Sequence, residues 1–227
     1  MPYPQLADRL AEVRGRVADA VRRGGHGQQV TLVAVTKTHG ADAVDEAFAL
    51  GVPDVGENKV QEALDKMELV ASPARWHLIG HLQRNKVKHL DRFHLLHSLD
   101  RARLADAVHA HGLARGRAVD ALLQVNVVGE ETKGGIPIAE VAREAERLAT
   151  LTGVRILGVM TMAPLAADEA TLRQVFRGAR EVRAVLAAAG LPATELSMGM
   201  SNDYELAVEE GATLIRLGTV LFGARGT

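Results

Sequence analysis

The sequence predicts an α/β fold: one (β/α)8 barrel preceded by an extra helix. Three observations lead there. Eight short apolar runs alternate with helical patterns in the order strand then helix, which implies right-handed crossovers and a parallel sheet. The run "VTLVAVT" (30–36) has the apolar, β-branched composition of a strand buried on both faces. And 227 residues is a length at which an α/β barrel forms one unit, so residues 1–227 are read as a single domain. The alternative is an open doubly wound sheet, because one missed strand near 83–99 would reopen the barrel.

The chain opens with Leu6, Leu10, Val13, Val17 and Val21 at spacings of three and four, one apolar stripe of a helix over about 4–22 that stops at Gly24-Gly25. The strands follow at 30–36, 53–58, 76–82, 94–99, 121–127, 154–161, 194–199 and 213–218. Helical patterns cover 41–50, 59–71, 101–113, 138–150, 168–189 and 202–210 between them. Glycine and proline fall at element ends, and no linker or low-complexity segment interrupts the series.

Composition narrows the function classes. Lys+Arg 27 against Asp+Glu 28 gives a formal charge of −1, so no global field draws the chain to nucleic acid or to an anionic membrane. The chain has no cysteine, which excludes disulfides, thiolate metal sites and thiol nucleophiles. The N-terminus lacks an apolar signal region and no run reaches the length of a membrane span, so a cytoplasmic location is expected.

Barrel active sites lie at the C-terminal ends of the strands, and the unusual residues fall there. Lys37 closes the first strand; it is one of only six lysines, and an amine at that mouth can attack an aldehyde to form a Schiff base. A solvated strand-end lysine is its plainer reading. Asn58 ends strand two, Gln124 and Asn126 lie near the end of strand five, and Thr161 ends strand six. "SMGMSND" (197–203) offers the hydroxyls of Ser197 and Ser201 around Gly199, and "RLGTVLFG" (216–223) offers Gly218 and Thr219. The two loops together could cradle one phosphate, although either alone reads as an ordinary cap or turn. Arg216, inside the last apolar run, is a costly place for a permanent charge. It is there either to pair with a buried acid such as Glu57 or to meet a ring nitrogen or carboxylate.

The histidine pairs His77/His81 and His94/His97 lack metal-ligand spacing, and period two sends His94 and His97 to opposite faces, so no metal site is expected. The basic stretch 81–92 reads as a solvated helix face rather than an RNA surface.

The ordered set "VAVTK", "GENKVQEALDK", "WHLIGHLQRNKVK", "LLQVNVVGEETKGGI", "GVMTMAP", "LSMGMSNDYELAVEEGAT" and "IRLGTVLFGAR" resembles the YggS/PROSC family of pyridoxal 5′-phosphate-binding, or pyridoxal phosphate homeostasis, proteins, from about Leu32 to Arg225. The resemblance implies a barrel similar to the N-terminal domain of alanine racemase, with pyridoxal phosphate held as an internal aldimine on Lys37. It also implies a phosphate among Ser201, Gly218 and Thr219 with Ser197 nearby, Arg216 facing the pyridine nitrogen, and Asn58 as a ring neighbour. Thr36 stands where the family commonly has serine, Asp54-Val55 where an aromatic is frequent, and Lys59 where tyrosine or arginine often appears; no cofactor contact is assigned to Lys59.

The expected role is therefore a protein that binds pyridoxal phosphate, takes part in vitamin B6 homeostasis and delivers the cofactor to apoenzymes, as a monomer without efficient turnover. A pyridoxal-dependent amino-acid racemase is the alternative. It would need acid/base groups on both faces of its substrate, and the only tyrosines, Tyr3 and Tyr204, are poorly placed in the sequence for that. A cofactor-free lyase or aldolase using Lys37 ranks last.

Overall fold

A computed structural model describes residues 3–129 and 134–223. Helix α1 (Leu6–Gly24) comes first, and the strands follow as β1 (Thr31–Val35), β2 (Asp54–Glu57), β3 (Arg75–Leu78), β4 (Leu95–Leu99), β5 (Val119–Asn126), β6 (Ile136–Pro137), β7 (Val154–Met160), β8 (Glu195–Ser197) and β9 (Leu214–Leu217). Between them lie α2 (Ala41–Ala49), α3 (Val60–Met67), α4 (Ala102–Arg115), α5 (Val141–Ala149), α6 (Glu169–Ala188) and α7 (Tyr204–Glu209), and a short α8 (Thr219–Phe222) follows β9. The order β4-β3-β2-β1-β9-β8-β7-β5 is closed by pairing of β4 with β5, all of it parallel, so the open-sheet alternative falls. β6 is a two-residue bridge on the end of β5. Two expectations shift. Strand three leaves the sheet after Leu78, and residues 84–92 form a 3-10 segment.

Period two sorts the side chains into two cores. Outward positions such as Leu32, Ala34, Val55, Leu78, Leu96, Leu123, Ile215 and Leu217 pack under the helices in one large apolar cluster. A smaller cluster of Val33, Leu95, Leu122, Met160 and Leu214 fills the inside. Continuing each inward series toward the strand ends puts Lys37 above Val33 and Val35, Asn58 above Gly56, and Gly218 above Leu214 and Arg216. This register carries the chemistry to one mouth.

Outside the barrel, α1 buries Leu6, Leu10, Val13 and Ala20. Its other end is tied to α7 by Arg23 to Glu209 at 2.6 Å and Arg16 to Glu205 at 3.2 Å. Backbone contact fixes another joint: a Cβ on Gly112 of α4 would lie 1.9 Å from the Gly153 carbonyl oxygen. Gly112→Ala must therefore push α4 off the turn before β7; we expect a loss of about 2 kcal/mol, read as a lower urea midpoint at an unchanged slope.

Candidate functional site

Lys37 sits on a braced turn. The preceding residue, Thr36, faces outward, where its Oγ1 donates to Glu57 Oε1 at 2.7 Å. Lys66 on α3 reaches the same point: its Nζ donates to the Thr36 carbonyl at 2.7 Å and to Glu57 Oε1. The next residue, Thr38, has φ +67°, a left-handed conformation costing a β-branched residue about 1–2 kcal/mol. Its N–H donates to Glu62 Oε1 at 2.6 Å, so two acids and one lysine hold the chain in a shape it would not adopt alone. Burial pushes the Glu57 carboxyl up, against the opposing pull of Lys66 and Thr36. Glu57 is thus occupied on the outer face and is not the partner of Arg216.

Above this turn opens a cavity of about 660 Å³ whose wall includes Lys37, Asn58, Ser201, Arg216, Gly218 and Thr219. Six of the seven residues singled out from sequence are brought together here. Gly80, after β3, packs so closely that a Cβ would lie 2.2 Å from the Asn58 carbonyl oxygen. Ser201 Oγ accepts from the Val220 N–H at 3.3 Å, joining the loop after β8 to the first turn of α8. Gly199, at φ +93°, lets that loop pass α7, where a Cβ would lie 2.7 Å from that of Ala207. On another part of the wall His81 Nδ1 lies 2.9 Å from Asp100 Oδ2, a dyad that no sequence spacing singles out.

Ser197, expected beside the phosphate, is the exception. It is fully buried inside the barrel and is not on the cavity wall. Its Oγ accepts from Arg216 at 2.5 Å, and a second Arg216 N–H reaches the Thr161 carbonyl at 2.9 Å. Among the described residues no carboxylate lies within ion-pair distance of Arg216. Burial lowers its pKa to about 10 against the opposing field of Asp203, so it keeps its charge at neutral pH. Below it, His97 Nδ1 lies 2.8 Å from Ser197 Oγ, His97 Nε2 lies 2.9 Å from His77 Nδ1, and His77 Nε2 lies 2.9 Å from Asp54 Oδ1. His94 precedes β4, so strand alternation does not govern it. Its ring and that of His97 both meet the His77 ring, at 5.5 and 5.1 Å.

Tyr3 also lies nearer the mouth than its place in the sequence implies. Its hydroxyl is 3.1 Å from His39 Nδ1, two residues past Lys37. Tyr204 is buried in α7.

The set has a definite chemical preference. An amine on the wall takes a carbonyl, the Ser201 hydroxyl with Gly218 and Thr219 suits an anionic phosphate, and a guanidinium with no carboxylate partner among the described residues suits a neutral acceptor such as a ring nitrogen. Pyridoxal phosphate carries all three groups, and the residues present fit it.

Comparison with known proteins follows the same line. The family model described as alanine racemase, N-terminal domain, matches residues 9–226. The pyridoxal phosphate homeostasis protein of Aquifex aeolicus is 41% identical over 224 residues, covering 96% of this chain and 97% of its own. That of Pseudomonas aeruginosa is 40% identical over 223 residues, covering 97% and 96%. PipY of Synechococcus elongatus, solved with pyridoxal phosphate bound, superposes with a TM-score of 0.86 at 39% identity, covering 96% of this chain and all of that one. Alanine racemase from Corynebacterium glutamicum shares the fold alone, with a TM-score of 0.71 at 17% identity over 96% of this chain and 61% of its own.

Two outcomes follow from this geometry. Lys66→Met strands the buried Glu57 carboxylate and should cost about 3 kcal/mol in urea unfolding, part of it regained in the Lys66→Met/Glu57→Gln double variant. The second concerns pH. Burial, then the nearby His77, Arg216 and His94, holds His97 well below its ordinary 6.5, and burial holds His94 down as well. Below pH 6.5 the unfolded chain therefore takes up protons that the folded one refuses, and stability falls as the pH drops, by up to about 1.4 kcal/mol per unit for the buried His97 and by less for the exposed, solvent-screened His94. Asp54 is opposed by its own burial but held down to about 2 by His77 and Arg75. Its contribution is present above pH 4 and is lost as the pH drops from there toward 2. Urea midpoints measured from pH 7 to 5 should fall, and fall less steeply in His97→Gln.

Proposed function

The chain belongs to the alanine racemase N-terminal domain family, among the pyridoxal phosphate homeostasis proteins, and we propose that it binds pyridoxal phosphate covalently at Lys37, buffers the cell's vitamin B6 pool and hands the cofactor to apoenzymes. One observation carries the reading: Lys37, in the turn after β1, and Arg216, on the adjacent strand β9, open on one cavity with Ser201, Gly218 and Thr219.

When bound, pyridoxal phosphate supplies an aldehyde that condenses with an amine and a pyridine ring that draws electrons from the adduct. The chain's residues divide the work of holding it. Lys37 is the attachment point, presented by the braced turn. Ser201 and the backbone at Gly218 and Thr219 take the phosphate, and Asn58 borders the ring. Arg216, charged at neutral pH, faces the ring nitrogen and disfavours a proton there, which weakens the ring as an electron sink. That arrangement favours holding the cofactor over using it.

A racemase reading rests on the His81–Asp100 dyad, which places one acid/base pair on the same wall as Lys37. Against it, Tyr3 is engaged with His39, Tyr204 is buried in α7, and the curated relatives carry a homeostasis name rather than an enzyme's. We propose a cytoplasmic monomer, because this chain by itself supplies every residue assigned to the cradle.

The test is spectroscopic. Purified protein with added pyridoxal phosphate should show a visible band that borohydride removes, leaving one pyridoxyl label, on Lys37. Lys37→Ala should show neither. Label scattered over other lysines, or no band, refutes the binding site. Transfer to an apoenzyme faster than from free solution supports delivery, and D-alanine formed from L-alanine at enzyme rates would put the racemase in its place.

A further inference from the structure

Four strands contribute inward polar side chains that the cofactor cradle leaves unexplained: Asp54 (β2), His77 (β3), His97 (β4) and Ser197 (β8), none more than 3% exposed. They form one unbranched column across the barrel interior, from Arg216 under the cavity to Asp54 at the opposite end. There Asp54 is gripped by Arg75, with Nε to Oδ1 at 2.8 Å and NH2 to Oδ2 at 2.5 Å. Each link is 2.5 to 2.9 Å long. The charged and titratable groups facing the column are Arg75 and His94 at the far end and Asp203 near Arg216.

With Asp54 ionised and both imidazoles neutral, one donor order runs through the column. Arg216 can only donate, so Ser197 Oγ accepts and sends its own proton to a bare His97 Nδ1. A neutral His97 then carries its proton on Nε2 and gives it to a bare His77 Nδ1, and His77 Nε2–H donates to the Asp54 carboxylate. Every proton has one acceptor and no buried group is orphaned. Reversing the order requires a protonated Asp54, whose carboxyl His77 and Arg75 hold down to about 2.

We propose that Asp54, His77, His97 and Ser197 are positioning residues for the cofactor's ring partner: the column locks both imidazoles as Nε2–H tautomers and fixes the Arg216 guanidinium so that its unused N–H groups face the cavity. A neutral hydroxyl, rather than a carboxylate, is what suits this task. It orients the guanidinium without drawing its charge away from the ring nitrogen, while Asp54 polarises the hydroxyl from a distance through two imidazoles. The inference rests on the reading of Arg216 as the ring-nitrogen partner.

Two measurements test it. In the cofactor-free protein at pH 7, nitrogen-15 NMR of the imidazoles should show Nε2–H and bare Nδ1 for both His77 and His97; an Nδ1–H on His97 overturns the column. In the loaded protein, Ser197→Ala and His97→Leu should still take the borohydride label on Lys37. Their visible band should be displaced, and they should release pyridoxal phosphate to a scavenging apoenzyme about tenfold faster. His97→Gln, whose amide can accept from Ser197 and donate to His77, should stay near the parent in both. Folded Ser197→Ala with the parental band and release rate overturns the positioning role. If the parent takes no label, the binding site itself is wrong, and the NMR result still decides the column.

Discussion

A guanidinium inside a barrel, with no carboxylate beside it among the described residues, is the constraint around which the interior is arranged. Burial alone would expel such a charge, and here it lowers the Arg216 pKa to about 10 without neutralising it. Its hydrogen bonds go to a hydroxyl and a carbonyl, which satisfy two N–H groups and leave the charge uncompensated at close range. The inner layer is correspondingly polar: where a barrel of this type commonly fills its interior with aliphatic side chains, this one combines a small cluster of five buried apolar residues with a chain of imidazoles and a serine.

The amine in the turn after the neighbouring strand is handled differently. Lys37 gets its position from its backbone, through a left-handed Thr38 and a buried Glu57–Lys66 pair on the outer face of β1 and β2. The two cationic elements of the mouth are thus supported from opposite sides of the sheet, Lys37 by the layer between sheet and helices and Arg216 by the barrel interior. Strain at Thr38 and desolvation at Arg216 are both tolerated because the surrounding contacts over-determine them.

Much of this is legible in the sequence, and the limits have physical causes. The βα alternation and the period of two along each strand are local signals, and they suffice to place Lys37, Asn58, Arg216 and Gly218 at one mouth. Composition offers Glu57 as a partner for Arg216, although the same alternation that turns Asn58 inward turns Glu57 outward. Ser197 resembles part of a phosphate loop because it neighbours Gly199, whereas strand β8 runs through it and aims it inside. Its partner His97 lies 100 residues away, a contact created only by barrel closure. No local pattern reports it, nor the pairing of His77 with Asp54. The close fit of Gly80 against Asn58 is likewise a backbone contact invisible to composition.

The most direct measurement is a crystal structure of the chain grown with pyridoxal phosphate. The account predicts continuous density from Lys37 Nζ into the cofactor, phosphate oxygens on Ser201 and the Gly218–Thr219 backbone, and Arg216 in contact with the ring nitrogen while still seated on Ser197. Density elsewhere, or a ring nitrogen met by anything but Arg216, would contradict it.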